Sequence, residues 1–481
     1  MSQRLTDSSS LRPRRMGATR AVAAAASIAM LGLLTTACTS TDASPPTAGS
    51  SGLVAGAQDA SPGVTADSIK IGYIVIDLGT LSEQLGFKQA NYGGKDAQIK
   101  QIQSVVNAVN VNGGVGGRQI VPVIKVYDGT QDSPETAEAF CNAFTQDDQV
   151  FAVVMDGQLQ NNARPCYLAR KTIMIDQTLL AQDQAEFDKN APYLWSPTFP
   201  EYGSFLTTQL QALQTQGWFQ GTQGVSIVGA DNDIARRQIA QTVQPFLVSQ
   251  GITKSQTFFI DSANPGSLGA GSASALTGTA NAGLDRVLVV GGARILPVML
   301  ATEEATTTKA LFAISSYDSP LFLQDNPDSA VSETFVGMVG FGVLPAGDIR
   351  DDPSLPFPDP TNTNQGLCKQ IIDSAGATPP EGVRPNYKAG MQFCDGTLFL
   401  KATLDKAPKD LTAAAFRDAA WQIGNTYSSS VTFGGNILPG KYAATSIGRV
   451  LAFDATTCQN PVSGKPGCFL YRGGNVPFAA N

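Results

Sequence analysis

Ile69-Lys-Ile-Gly-Tyr-Ile-Val-Ile76 and Gln119-Ile-Val-Pro-Val-Ile-Lys-Val-Tyr127 are rich in β-branched residues, and residues 97–111 between them place apolar side chains at helical spacing. Strand, helix and strand in that order form a crossover unit whose two strands lie parallel in one sheet. The alternation continues outward. A helix over 134–144 is followed by the strand Val150-Phe-Ala-Val-Val154, a helix over 158–170 and a short buried strand at 172–175. Past Pro197 and Pro200 the pattern restarts, with strands at 224–228, 256–260, 285–290 and 311–314 separated by helical segments. Such alternation requires parallel sheets with helices on both faces, so the fold class is α/β with two doubly wound parallel-sheet units. Residues 335–343 read as a strand returning to the first unit, 387–407 as an amphipathic helix, and 431–471 as short strands and turns.

The first 38 residues read as an address rather than as part of the fold. Arg12, Arg14, Arg15 and Arg20 precede an apolar run of 14 residues, 21–34, and then Thr35-Thr36-Ala37-Cys38. A membrane span needs about 20 apolar residues, so the run is a signal-peptide core. Small residues directly before a cysteine resemble a bacterial lipobox, with Thr35 where Leu is usual. The resemblance implies cleavage ahead of Cys38 and lipidation of that residue at the outer face of the cell membrane. Arg14-Arg15 leaves general secretory and twin-arginine export both open. Residues 39–66 are almost all Ser, Thr, Ala, Gly, Pro and Asp, a composition that cannot offset its chain entropy by burial and is expected to act as a tether reaching roughly 30 Å.

The chain has 33 Lys+Arg and 40 Asp+Glu; residues 1–37 hold five Arg and one Asp, which leaves 28 against 39 and a net charge of −11 for the remainder. No basic run survives, so nucleic acid is a poor partner, and membrane attachment is expected through the lipid anchor only. There is no histidine, which removes Ser-His-Asp triads, Cys-His dyads and His-ligated metals. No metal and no cofactor is expected. Apart from Cys38, six cysteines make an even set in an exported chain, and their spacing favours three local disulfides, Cys141–Cys166, Cys368–Cys394 and Cys458–Cys468.

Ile69-Lys-Ile-Gly72, then Asn110-Val-Asn-Gly-Gly-Val-Gly-Gly-Arg118, then Val126-Tyr-Asp-Gly129 resemble the opening of the type I periplasmic-binding-protein family, in particular the branched-chain amino-acid binding proteins of ABC transporters. Asp148-Gln-Val-Phe-Ala-Val-Val154 and Val287-Leu-Val-Val-Gly-Gly292 continue the likeness in order, over roughly residues 66–470. The glycines have a physical role, since they stop a helix and turn the chain through positive φ into the next strand. The resemblance implies two lobes joined by three crossovers, near 196–200, 335–344 and 428–433, with one ligand in the cleft between them. The corresponding division is signal peptide 1–37, tether 38–66, lobe 1 at 67–197 plus 339–427, and lobe 2 at 198–338 plus 428–481.

Ligands of such sheets sit off the carboxyl ends of the strands. In the family, the loops there carry small hydroxyl residues that hold a carboxylate. Here they read Met155-Asp-Gly-Gln-Leu-Gln-Asn161 and Asp176-Gln-Thr-Leu-Leu180, and only Thr178 keeps a hydroxyl. Acids stand at strand ends instead: Asp77, Asp128, Asp156 and Asp176 in the first unit, Asp231 and Asp318 in the second. Carboxylates around one cleft favour a cationic or strongly hydrogen-donating ligand; as scaffold, each would cap the helix that follows. The candidate ligand-binding residues are Asp77, Asp156, Gln158, Asp176, Thr178 and Asp318, with Arg294, Ser316, Tyr317 and Phe393 added by their places in the resemblance.

An enzyme finds no support, since the chain has no Gly-Lys-(Ser/Thr) phosphate loop and no Gly-x-Ser-x-Gly elbow. The expected function is capture of a small polar ligand (amino acid, amide, amine or related) by a monomer that closes on it and docks on ABC permease subunits. A ligand sensor on the same fold, signalling to another envelope partner, is the alternative.

Overall fold

The computed structural model describes residues 61–79, 94–157, 160, 162–292, 294–326, 332–350, 352, 354–460, 464 and 466–479. The signal segment, Cys38, the tether up to residue 60 and Gln158 lie outside the described residues. Ser68–Asp77 (β1), Gln119–Asp128 (β2), Ala152–Met155 (β3), Ile173–Asp176 (β4) and Leu194–Trp195 (β5) form a sheet in the order β2-β1-β3-β4-β5, parallel throughout. β1 and β2 pair without a slip from Ser68↔Gln119 to Asp77↔Asp128. The helix Gly94–Val111 joins them, and the glycine-rich turn that follows depends on its composition. Gly113, Gly114, Gly116 and Gly117 all have positive φ. A Cβ on Gly114 would stand 2.0 Å from the carbonyl oxygen of Arg118, so no other residue fits there.

Val225–Ala230 (β6), Ser255–Ile260 (β7), Arg286–Val290 (β8), Leu311–Ser315 (β9), Val339–Gly342 (β10), Ile447–Gln459 (β11) and Pro466–Pro477 (β12) form the second sheet, ordered β12-β11-β10-β9-β8-β6-β7. It is parallel from β7 to β10 and antiparallel at β11 and β12. In both sheets the connections change direction at one point, between β1 and β3 and between β6 and β8. That switch point opens a crevice at the carboxyl edge. Near-continuous burial of β3, β4 and β6 follows from helices covering both faces.

The two expected lobe boundaries at 339 and 428 both shift. Val339–Gly342 stays in the second sheet, between β9 and β11, because Gly340 lets the chain lie against Ile314: a Cβ there would meet that carbonyl oxygen at 1.7 Å. The return to the second sheet comes at Ile447. Before it, Ile437, Tyr442, Ala443 and Ala444 are buried in the first core, where their apolar surface is covered. The end of the chain is one long antiparallel hairpin, β11 and β12, rather than a set of short strands.

Disulfides Cys141–Cys166, Cys368–Cys394 and Cys458–Cys468 are all present. The first ties the helices Pro134–Asn142 and Arg164–Ala169, the second the helices Thr363–Ser374 and Lys388–Leu404, and the third the two strands of the hairpin. Each stays on one side of the crossovers. Among the described residues no helix is long and apolar enough to cross a membrane.

Candidate functional site

Segments beyond the carboxyl ends of the two sheets meet, joined by Arg237–Asp183, Gln160–Ala263 and Arg294–Asp132. On the first side, Asp156 follows β3 and is buried. Burial pushes its carboxyl up to about 7; Lys388 and the Gly157 amide pull the other way, and Asp176 adds to the rise. Asp176 ends β4 and makes a 2.8 Å ion pair with Arg164, both side chains 1% exposed. Its other oxygen accepts from Thr178 Oγ1 at 2.6 Å and from the Thr178 amide at 3.0 Å. Gln177 Nε2 donates to Thr198 Oγ1 at 3.0 Å.

On the second side, Asp318 turns back to accept from the amide and hydroxyl of Ser315 at 2.8 and 2.7 Å. Burial raises its carboxyl to about 7. Ser316 Oγ donates to Asp348 Oδ2 at 2.6 Å and accepts from the Val343 amide at 2.7 Å; Tyr471 also donates to Asp348. Burial holds Asp348 up at about 6 against these donors and the charge of Lys388. Tyr317 is 2% exposed, its ring enclosed by Phe199, Tyr202 and Phe205 at 5.5, 5.1 and 5.1 Å.

The candidate residues therefore divide. Asp156, Asp176, Thr178, Ser316, Tyr317 and Asp318 are all buried at these facing edges. Asp77 is not: it lies at the rim, 21% exposed, where Lys95 at 2.8 Å and the Gly79 amide hold its carboxyl below the usual range. Asp128 caps the turn after β2 and Asp231 pairs with Arg236 on the surface. Phe393 packs in the first core with its ring 6.4 Å from Tyr73. Arg294 adopts φ 78° after β8 and pairs with Asp132.

Several buried polar atoms here have no hydrogen-bond partner among the described residues, including Gln177 Oε1 and Asp348 Oδ1; Gln182 and Tyr317 add two more groups. Gln182 is 2% exposed, and among the described residues neither its amide oxygen nor its nitrogen has a hydrogen-bond partner. The Tyr317 hydroxyl has none among the described residues either. Unsatisfied buried polar groups cost about 1–3 kcal/mol each, so a site holding several needs an explanation. They belong to opposite sides: the Gln182 carbonyl accepts from the Tyr202 amide at 2.8 Å, and the Tyr202 ring is the one that packs against Tyr317. Sequence reasoning passed over Gln182, which sits in an ordinary polar loop, and over Lys388, which opens a helix with nothing to mark it. Neither carries a local signal.

Three of the acids, by contrast, have partners within the chain. Asp77 and Asp176 have Lys95 and Arg164, and Asp318 has Ser315. At these three positions internal cations and donors occupy the carboxylates, whereas Asp156 has the charge of Lys388 and the Gly157 amide beside it.

No protein-family model matches the chain, and no curated protein sequence matches it. Solved structures do. A fatty acid ABC transporter substrate-binding protein from Thermomonospora curvata aligns at TM-score 0.57 and 17% identity over 86% of this chain and 94% of that one. A solute-binding protein from R. palustris in complex with 4-hydroxybenzoate gives 0.56 and 12% over 86% and 98%. The branched-chain amino acid substrate-binding protein LivJ from Streptococcus pneumoniae, in complex with isoleucine, gives 0.52 and 14% over 84% and 100%. Two parallel-dominated sheets, three crossovers and an alignment spanning nearly the whole of each of these structures establish that the chain has the type I periplasmic-binding-protein fold.

Proposed function

We propose that this chain is an extracytoplasmic solute-binding protein, held to the outer face of the membrane through Cys38, that captures a small polar ligand between its lobes for an ABC importer. The observation that carries the reading is the pair of unpartnered buried groups, the Gln182 amide and the Tyr317 hydroxyl, on opposite sides of the strand-end layer. A ligand that gives and accepts hydrogen bonds would satisfy both and would thereby favour the closed form, since only contacts made by both lobes reward closure. The Asp77 and Asp176 carboxylates have internal cations in Lys95 and Arg164, which favours a small polar ligand of the amino-acid, amide, amine or related class over one recognised by charge alone. The fold likeness supports the role, as the structures aligned above are substrate-binding proteins. No reaction is assigned to the site.

A thermal-shift screen of amino acids, amides, polyamines, sugars and short peptides against the mature chain tests this. A ligand at 100 times its dissociation constant adds about 2.7 kcal/mol. Gln182→Leu and Tyr317→Phe should each weaken the strongest hit by about tenfold or more, as loss of a hydrogen bond to the ligand implies. A polyamine hit that both variants bind as well as wild type would overturn this site, and no hit in any class would count against the solute-binding role.

A further inference from the structure

Two charged contacts run from one lobe to the other at the rim of the strand-end layer. Arg237, on the second-lobe helix Asp233–Gln238, donates through Nε to Asp183 Oδ2 at 2.8 Å and through Nη2 to Oδ1 at 2.7 Å. Gln238 Nε2 adds a 3.1 Å bond to the same carboxylate. Asp183 lies in the first lobe, where it also caps the helix Gln184–Asn190. At the other end, Arg294 Nη1 is 2.7 Å from Asp132 Oδ2, while its Nη2 donates to the Ser262 carbonyl at 3.2 Å. Tyr127 steadies Asp132 by donating to Oδ1 at 2.8 Å. Between the two, Gln160 Nε2 reaches the Ala263 carbonyl at 3.3 Å. The contacts thus join loops beyond β2, β3 and β4 to loops beyond β8, β7 and β6.

We propose that Arg237 and Arg294 are closure latches, so that the clamp populates its closed form through its own contacts and a ligand adds to closure instead of supplying all of it. Neither latch uses Gln182 or Tyr317, and the inference needs only the two-lobed fold, whatever the chain binds. The Arg237 latch is the stronger. A bidentate guanidinium–carboxylate pair is geometrically selective and charge-assisted, and its acid is almost fully desolvated, 2% exposed against 29% for the arginine. The Asp132 pair has charge proximity without an aligned hydrogen bond on Oδ2. Yet Arg294 holds a left-handed backbone that a non-glycine residue adopts at a cost. Both arginines keep partial contact with water, so salt should weaken both latches.

Single-molecule distance measurement on the full lipidated chain tests this, with dyes on Glu138→Cys and Gln241→Cys, exposed positions in the first and second lobe. Without added solute, wild type should sit mainly in the short-distance state in low salt. Arg237→Ala should lower the closed-to-open ratio about tenfold, equivalent to about 1.4 kcal/mol, and Arg294→Gln should lower it less. Raising NaCl to about 1 M, where the screening length is about 3 Å, should shift wild type the same way. If a variant loses its near-ultraviolet circular dichroism, the salt titration of wild type decides alone. A wild type that is mainly open in low salt, or a ratio that neither the variants nor salt alter, would overturn the proposal. In both cases the solute-binding reading would still stand or fall on the ligand screen.

Discussion

Asp395 accepts a hydrogen bond from Thr198 at 3.1 Å, a link between a helix of the first lobe and the first crossover to the second. The same carboxylate accepts from Ser429 Oγ at 2.9 Å and from the Ser430 amide at 2.7 Å, in the segment that leads towards β11. One buried side chain thereby ties the first crossover to the segment that precedes the last return to the second sheet. Asp395→Ala should destabilise the fold by about 3 kcal/mol, because it strands three buried donors. Asp395→Asn should recover most of that, its amide oxygen taking the Ser430 N–H. Urea unfolding of both variants checks the order; equal losses would mean the carboxylate charge matters more than the acceptor geometry.

Asp176 separates a scaffold role from a ligand role. Its partner Arg164 is 1% exposed, so Asp176→Asn leaves a buried cation with, among the described residues, only Glu186 at 3.7 Å as a counter-charge. Removing one member of a buried pair costs about 3–5 kcal/mol, and the loss should appear in denaturant midpoints with no ligand present. An unchanged midpoint would make Asp176 a ligand contact again.

Burial raises Asp156 and Asp318 to about 7 and Asp348 and Asp395 to about 6. The folded state therefore keeps protons that the unfolded chain releases near its ordinary value of about 3.9. The native state binds more protons across that window, so these four groups make stability fall as pH rises from about 4 to about 7. Asp156→Asn should match wild type near pH 4 and exceed it above pH 7 by about 1–3 kcal/mol, reduced by whatever Lys388 loses. Chemical denaturation across that range would show a shallower slope for the variant. A parallel slope would mean that Asp156 titrates normally.

The disulfides should yield to reductant in an order set by burial. Cys368 and Cys394 are fully buried, whereas Cys458 is only half-buried on the terminal hairpin. Mass mapping during graded reduction should show Cys458–Cys468 opening first and Cys368–Cys394 last, with each loss costing about 2–4 kcal/mol. Simultaneous opening would show that reduction follows global unfolding.

Cys38→Ala should release the chain from the membrane fraction or block its processing. Fractionation of wild type and variant compares them directly. Identical behaviour of the two as soluble proteins would remove the anchor.

The order and type of the elements were legible in the sequence because they are local. Alternation of Ile69–Ile76 with helical spacing at 97–111 needs only the strand and helix periods, and the glycines at 113–117 announce a turn that no other residue makes. The cysteine pairs followed from short separations within an even set. What the tertiary structure alone decided was which polar groups meet. Asp77 and Asp176 look alike as strand-end acids, yet one sits at the rim with Lys95 and the other in the interior with Arg164. Gln182 and Tyr317, 135 positions apart in the sequence, become neighbours of Tyr202 only when the two sheets face each other. Composition and period set where each strand ends. Partnership across the layer depends on side-chain reach and desolvation, which are properties of the assembled pair of lobes and have no period in the chain.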